Sequence, residues 1–163
     1  MVLVAVGAAA VKFFGKDRDD AGDDVQGDDE ITRFLFGAAN KADYDKASDL
    51  VSEDLVMYTN GFRLGRSGDE TGPSVLIDAL SYYDDHVDDS YWQFYDEVVG
   101  SGKKDRSVAI RFVASGGFNG ENKEVEFAGF LDVTDGKLSK IRFVTDLTVF
   151  NDMRQAAGAP PLH

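Results

Sequence analysis

The spacing of hydrophobic positions changes along this chain, and each change marks an element. From Asp28 onward the apolar residues recur at helical intervals: Ile31, Phe34, Leu35 and Ala38 form an i, i+3, i+4, i+7 stripe that Asp28 and Asp29 can cap. Asn40 to Asp43 interrupts it, and a shorter helix from Asp43 turns Tyr44, Ala47, Leu50 and Val51 inward. Leu55 to Thr59 then reads as a strand, folded back by Asn60-Gly61 into a short return strand over Phe62 to Leu64. Gly65 to Gly72 is a polar loop. Pro73 suits the first turn of a third helix that puts Leu76, Ala79, Leu80, Tyr83 and Val87 on one face.

From Ser90 the period drops to two. Tyr91–Val99, Arg106–Gly116, Glu124–Thr134 and Leu138–Thr145 alternate as strands, joined by turns rich in glycine and aspartate. The alternation places Val108, Ile110, Phe112 and Ala114 on one face and Arg111 and Ser115 on the other. Val125, Phe127, Gly129, Leu131 and Val133 oppose Glu124, Glu126 and Asp132 in the same way, and Ile141, Phe143 and Thr145 oppose Arg142 and Val144. A last helix runs from Leu147 to about Ala157, stopped by Gly158 and Pro160-Pro161. Helices gathered on one face of a curved antiparallel sheet make an α+β domain.

Composition bounds the chemistry. The 163 residues suit one domain, with 43% apolar and 29% charged residues. Zero cysteines exclude disulfides, thiolate zinc sites and cysteine nucleophiles, and two histidines, His86 and His163, are too few for a multi-histidine metal site. No metal and no cofactor is expected. The net charge of -13 repels nucleic acid and anionic lipid.

That charge is concentrated near the start. Eight acids and one base between Asp17 and Glu30 read as a solvated linker. Asp17, Asp19, Gly22 and Asp28 fall at positions one, three, six and twelve of a calcium loop, but Ala21 and Val25 occupy ligand positions and the last acid is not glutamate. The linker is preceded by an apolar run from Met1 to Phe14, too short to span a bilayer at about 20 residues. It reads as the stub of a membrane anchor, as a helix docked on its own domain or a neighbouring copy, or as an interaction segment. The expected organisation is an apolar segment over 1–16, an acidic linker over 17–28, a domain over 29–158 and a tail over 159–163. A cytoplasmic location is expected, with a membrane-anchored protein as the alternative.

The element order resembles the nuclear transport factor 2-like superfamily (cystatin-like in overall shape), in its SnoaL-like and ketosteroid isomerase-like branch. The resemblance covers residues 29 to 158. It rests on AANKADYDKASDLVSEDLVMYTNG leading into the first strand, TGPSVLIDAL opening the third helix, FAGFLDVTDGKLSKIRFVTD as paired strands, and DLTVFNDMRQAAG closing the domain. It implies a cone-shaped sheet, forming a barrel-like wall around a long helix and a hydrophobic pocket. The family's isomerase base falls here on Thr59, its oxyanion-hole acid on Gly129 and its helix tyrosine on Leu35. These departures argue against isomerase chemistry by that mechanism. No Asp-Arg-Asp set of the epoxide-hydrolase kind can be placed on the inward face. Asp146 resembles the acid–base aspartate of SnoaL-like polyketide cyclases; as the residue before a helix it reads equally as a cap.

The candidate pocket is lined by Met57, Thr59, Tyr83, Trp92, Ile110, Phe112, Phe127, Leu131 and Phe143, with Val108, Ala114 and Ile141 beside them. So apolar a lining suits a small hydrophobic or aromatic ligand better than acid–base turnover. An isomerase, cyclase or hydrolase step at Asp146 stays open, and so does a non-catalytic module of the same fold, tethered by its N-terminus. His86, among Asp84, Asp85, Asp88 and Asp89, reads as a solvated surface residue. Tyr82, Tyr83, Tyr91, Trp92, Phe94 and Tyr95 read as core or ligand mouth, and Tyr58 and Arg63 as rim donors. The resemblance implies a homodimer through the outer sheet face. An open cavity would favour the ligand-binding reading; a cone plugged by Trp92, Phe112 and Phe127 would favour the module.

Overall fold

In a computed structural model that describes residues 27–41, 44–65, 69–118, 120–156 and 161–162, the chain runs α1 (Glu30–Lys41), α2 (Ala47–Leu50), β1 (Val51–Thr59), β2 (Phe62–Arg63), α3 (Pro73–His86), β3 (Asp88–Val99), β4 (Arg106–Phe118), β5 (Glu121–Thr134), β6 (Lys137–Thr145) and α4 (Leu147–Ala156). The expected segments 1–16 and nearly all of 17–28, including all but the last position of the calcium-loop pattern, lie outside the described residues.

The six strands form one sheet in the order β2-β1-β6-β5-β4-β3. It is an α+β fold with a curved sheet that stays open, ending at β2 and β3, so no barrel closes. Every pairing is antiparallel except β1 on β6, which is parallel, with Met57 beside Ile141 and Thr59 beside Phe143. Alternation fixes the face of each residue but not strand direction, so this pairing is invisible in the pattern. The faces themselves follow it. Val108, Ile110, Phe112, Ala114, Val125, Phe127, Leu131, Ile141 and Phe143 are all buried, and Arg111, Glu124, Glu126, Arg142 and Val144 are exposed.

The second helix is shorter than expected. Only Ala47–Leu50 is helical, and Val51 already belongs to β1, so the strand begins four residues before Leu55. Asp43 falls outside the described residues. Val87 follows the end of α3 in extended backbone, yet stays buried.

Helix α1 sits inside the curve, and most of its circumference is covered: Ile31, Thr32, Phe34, Leu35, Phe36, Ala38, Ala39 and Asn40 are buried. Its N-terminus is capped by Asp29, whose Oδ1 accepts the Ile31 amide at 2.9 Å. The same carboxylate grips Arg106 on β4 through two bonds, from Nε at 2.6 Å and from Nη2 at 2.9 Å.

Two asparagines substitute for missing backbone partners. Asn40 at the end of α1 accepts the Trp92 amide at 2.6 Å and donates to the Trp92 carbonyl at 2.9 Å. This covers the free edge of β3, which would otherwise expose unpaired backbone. Asn60 does the same to Thr145, accepting its amide and donating to its carbonyl, both at 2.9 Å. Asn60 also holds a positive φ of 49°, with Gly61 at 86°, the geometry of a tight hairpin turn. Asn40→Asp keeps the acceptor but sets a carboxylate against the Trp92 carbonyl. It is expected to cost about 3 kcal/mol in urea unfolding followed by circular dichroism.

Candidate functional site

Inside the cone the aromatic rings form a continuous stack. Phe112 lies parallel to Trp92, with centroids 4.7 Å apart, and to Phe127 on its other side at 5.0 Å. Phe143 meets Trp92, Phe112 and Phe127 edge-on at 6.1, 5.4 and 5.8 Å. These rings come from neighbouring inward positions of β3, β4, β5 and β6, which the ladder register brings side by side: Trp92 opposes Ala114, Phe112 opposes Phe127, and Gly129 opposes Phe143.

Gly129 makes this packing possible. A Cβ there would come within 2.6 Å of Ile110 Cγ1 and 3.1 Å of Phe143 Cε1. The position where the isomerases hold an acid is therefore filled by neighbouring side chains, and Leu35 and Thr59 are likewise buried.

Of the candidate pocket residues, Met57, Thr59, Trp92, Ile110, Phe112, Phe127, Leu131 and Phe143 are buried and Tyr83 is half-buried, packed on the same core. Burial pushes the Tyr83 phenol well above its usual value of 10, so at neutral pH it is a neutral hydroxyl and not a base. The indole N–H of Trp92 is buried with no hydrogen-bond partner; the edge-on rings of Tyr83 and Phe143 stand 6.2 and 6.1 Å away.

Two ring positions were not legible from the periodicity. Phe36, outside the α1 stripe, meets Trp92, Phe94 and Phe112 edge-on at 6.0, 5.4 and 5.3 Å. Its signal was the nearly all-apolar run from Phe34 to Ala39, which marks a helix buried on most sides. Phe150 of α4 stands edge-on to Phe127 at 5.9 Å. Phe94, read from the sequence as core or ligand mouth, is half-buried and packs on the core.

The aromatic run around residues 82–95 divides. Tyr83, Trp92 and Phe94 pack inward, whereas Tyr82 and Tyr95 are exposed, Tyr95 beside a register shift in β3. His86 is exposed too, its ring stacked on Tyr82 at 4.1 Å and its Nδ1 donating to the Tyr82 carbonyl at 2.8 Å. Tyr58 lies between the inward Met57 and Thr59 and faces outward, under the Lys140 ammonium. Arg63 donates to the Glu70 carbonyl at 3.0 Å.

Asp146 is an exposed helix cap. Its Oδ1 accepts the Thr148 amide at 2.9 Å and the Val149 amide at 3.4 Å. The same residue lines a shallow groove of about 340 Å³ with Arg111, Glu126, Phe127, Val144 and Val149. This groove lies where β5 runs past the end of β6, and the aromatic stack is behind Phe127. Among the described residues no group of three or more metal-ligating side chains occurs, and the only acid in the buried set is Asp29, which is bound to Arg106. No described helix is long and apolar enough to cross a membrane.

No protein-family model matches the sequence, and no curated protein matches it either. Solved structures do. A candidate polyketide cyclase from Bacillus cereus is 18% identical with a TM-score of 0.61, the match covering 80% of this chain and 79% of that one. IdmH, a candidate polyketide cyclase from Streptomyces antibioticus, is 21% identical over 79% of this chain and 96% of its own, with a TM-score of 0.56. A protein of ketosteroid isomerase-like fold from Catenulispora acidiphila, solved with trimethylamine, is 16% identical over 80% and 94%, with a TM-score of 0.59. At these identities the likeness is one of fold: the chain has the nuclear transport factor 2-like, ketosteroid isomerase-like fold.

Proposed function

We propose that this chain is a SnoaL-like binding domain that takes a flat, uncharged aromatic molecule into its ring-lined cone and does no acid–base chemistry at Asp146. The fold shared with candidate polyketide cyclases, lined here by aromatic side chains, carries this reading. Parallel ring pairs contribute about 0.5–1.5 kcal/mol beyond area burial, a gain that a planar guest stacked on these rings would share. The rings fill the middle of the cone, so access requires α4 to lift. None of the described α4 side chains is buried, and Phe150 on Phe127 is its ring contact with the stack. Among the described residues the interior offers no free carboxylate or imidazole to move a proton, which supports binding over turnover.

A second reading has its own support. The stack of Trp92, Phe112 and Phe127 is the plugged cone expected of a module that works through its surface. A cyclase-type role would instead use Asp146 beside Arg111 in the outer groove.

The uncharged fluorophore N-phenyl-1-naphthylamine separates the three. Trp92 is the only tryptophan, so energy transfer from it reports a guest bound to the domain, and the Asp146 variant tells cone from groove. Saturable one-to-one transfer is expected in the native chain and, unchanged, in Asp146→Asn, because asparagine caps a helix about as well as aspartate and stability should move by no more than roughly 0.5 kcal/mol. Absence of saturable transfer would leave the module reading in place. Loss of binding in a fully folded Asp146→Asn would favour the groove.

A further inference from the structure

The cone contains a buried donor that its packing leaves unpaired. Trp92 is 7% exposed, and its indole Nε1 meets no acceptor. Its backbone N–H and C=O, by contrast, are both taken: Asn40 accepts the amide at 2.6 Å and donates to the carbonyl at 2.9 Å. The packing also holds the ring in place. It lies face to face with Phe112 at 4.7 Å, and Phe36, Tyr83 and Phe143 stand edge-on to it at 6.0, 6.2 and 6.1 Å. The large majority of buried polar side-chain atoms in native proteins are paired, and each exception calls for an explanation. A donor that is buried, unpaired and fixed in orientation suits an acceptor that arrives with a ligand.

We propose that Trp92 Nε1 donates a hydrogen bond to the guest, and so selects flat aromatic molecules with a neutral acceptor, a ring nitrogen or a carbonyl oxygen, over hydrocarbons of the same shape. This rests on the cone being the binding site, and it adds the polar contact that orients the guest there. The acceptor is neutral because nothing inside the cone can balance an anion. Among the described residues the buried set holds no lysine, arginine or histidine, and its one acid, Asp29, is bound to Arg106. Burial keeps the Tyr83 phenol beside the indole protonated at neutral pH. A carboxylate or phenolate would lose its hydration there without a counter-charge, at far greater cost than a carbonyl or a ring nitrogen. A hydrocarbon guest leaves the N–H bare and gains nothing from it, whereas an acceptor satisfies it.

Quinoline and naphthalene test this, since they differ by one ring nitrogen and both are uncharged at neutral pH. Trp92 is the only tryptophan, so isotope labelling of the indole nitrogen gives a single indole N–H resonance in the NMR spectrum. Quinoline is expected to move its proton downfield, as a hydrogen bond does. Naphthalene exerts a ring current but accepts nothing, and is expected to leave the proton in place or shift it upfield. Biosynthetic replacement of Trp92 by benzothienylalanine exchanges the N–H for sulfur and keeps the bicyclic shape. Quinoline should then bind roughly tenfold more weakly, with naphthalene unchanged. The titration needs only the native chain, so it stands whether or not the analogue folds. Both compounds shifting the interior phenylalanine signals, with the indole proton following the same course in each, would overturn the proposal and leave the binding reading standing. The N–H would then be satisfied by the face of the Tyr83 or Phe143 ring. Interior signals unmoved by either compound would overturn both.

Discussion

Phe112→Ala is expected to lower stability by about 4 kcal/mol, the upper part of the range for a buried aromatic, and to lower the melting temperature by roughly 8–16 °C. The size follows from position. Phe112 is fully buried at the centre of the stack, between Trp92 and Phe127 and edge-on to Phe36 and Phe143. Its loss removes four ring contacts and leaves a cavity between strands whose backbone is held on both sides by the ladder. The same cavity should bind a benzene-sized guest, since apolar cavities stay dry and accept apolar molecules. Differential scanning calorimetry with and without benzene tests both parts. A loss below about 1 kcal/mol would mean that the rings are not packed as a unit.

Asp29→Ala should cost about 3 kcal/mol, because it strands the Arg106 guanidinium, whose side chain is only 10% exposed against 7% for Asp29. The pair also predicts a pH dependence. Burial by itself would raise the Asp29 pKa. The hydrogen bonds from Arg106 and the Ile31 amide, with the Arg106 charge, outweigh burial and hold it below the usual 3.8. A carboxyl lowered on folding contributes stability that is fully present above its unfolded value and disappears as pH falls through the folded one. Between pH 7 and pH 5 this contribution is flat, and its loss sets in below about pH 4. Urea midpoints measured from pH 7 to pH 2.5 should fall more steeply for the native chain than for Asp29→Asn. Parallel curves would remove Asp29 from the account of acid stability.

How far the sequence reaches can be judged from these residues. The inward set of β4, β5 and β6 was legible because period two has only two solutions, and a register error would have reversed every assignment. The capping roles of Asp29 and Asp146 were legible because each acid sits immediately before a run of helical spacing. The Asp29–Arg106 pair was not, for its members lie 77 residues apart and either reads alone as a surface charge. Asn40 and Asn60 looked like helix-breaking and turn residues; their second task, completing the backbone of Trp92 and Thr145, depends on neighbours 52 and 85 residues away. Phe36 was missed because a stripe was sought where most of the helix circumference is buried. In the candidate site, the ring lining could be read from alternation. That Gly129 is a packing requirement emerges only when Ile110 and Phe143 are seen on either side of it.

The central claim is that the cone, and not the outer groove, is where this domain meets its ligand. Aromatic carbon–proton NMR of the phenylalanine-labelled chain, titrated with N-phenyl-1-naphthylamine, tests it most directly. The account predicts that the Phe112, Phe127 and Phe143 resonances shift together and saturate at one equivalent, while Phe130, 43% exposed on the outer face, stays in place. Shifts confined to Phe127, the ring that also lines the outer groove, with Phe112 and Phe143 unmoved, would contradict it.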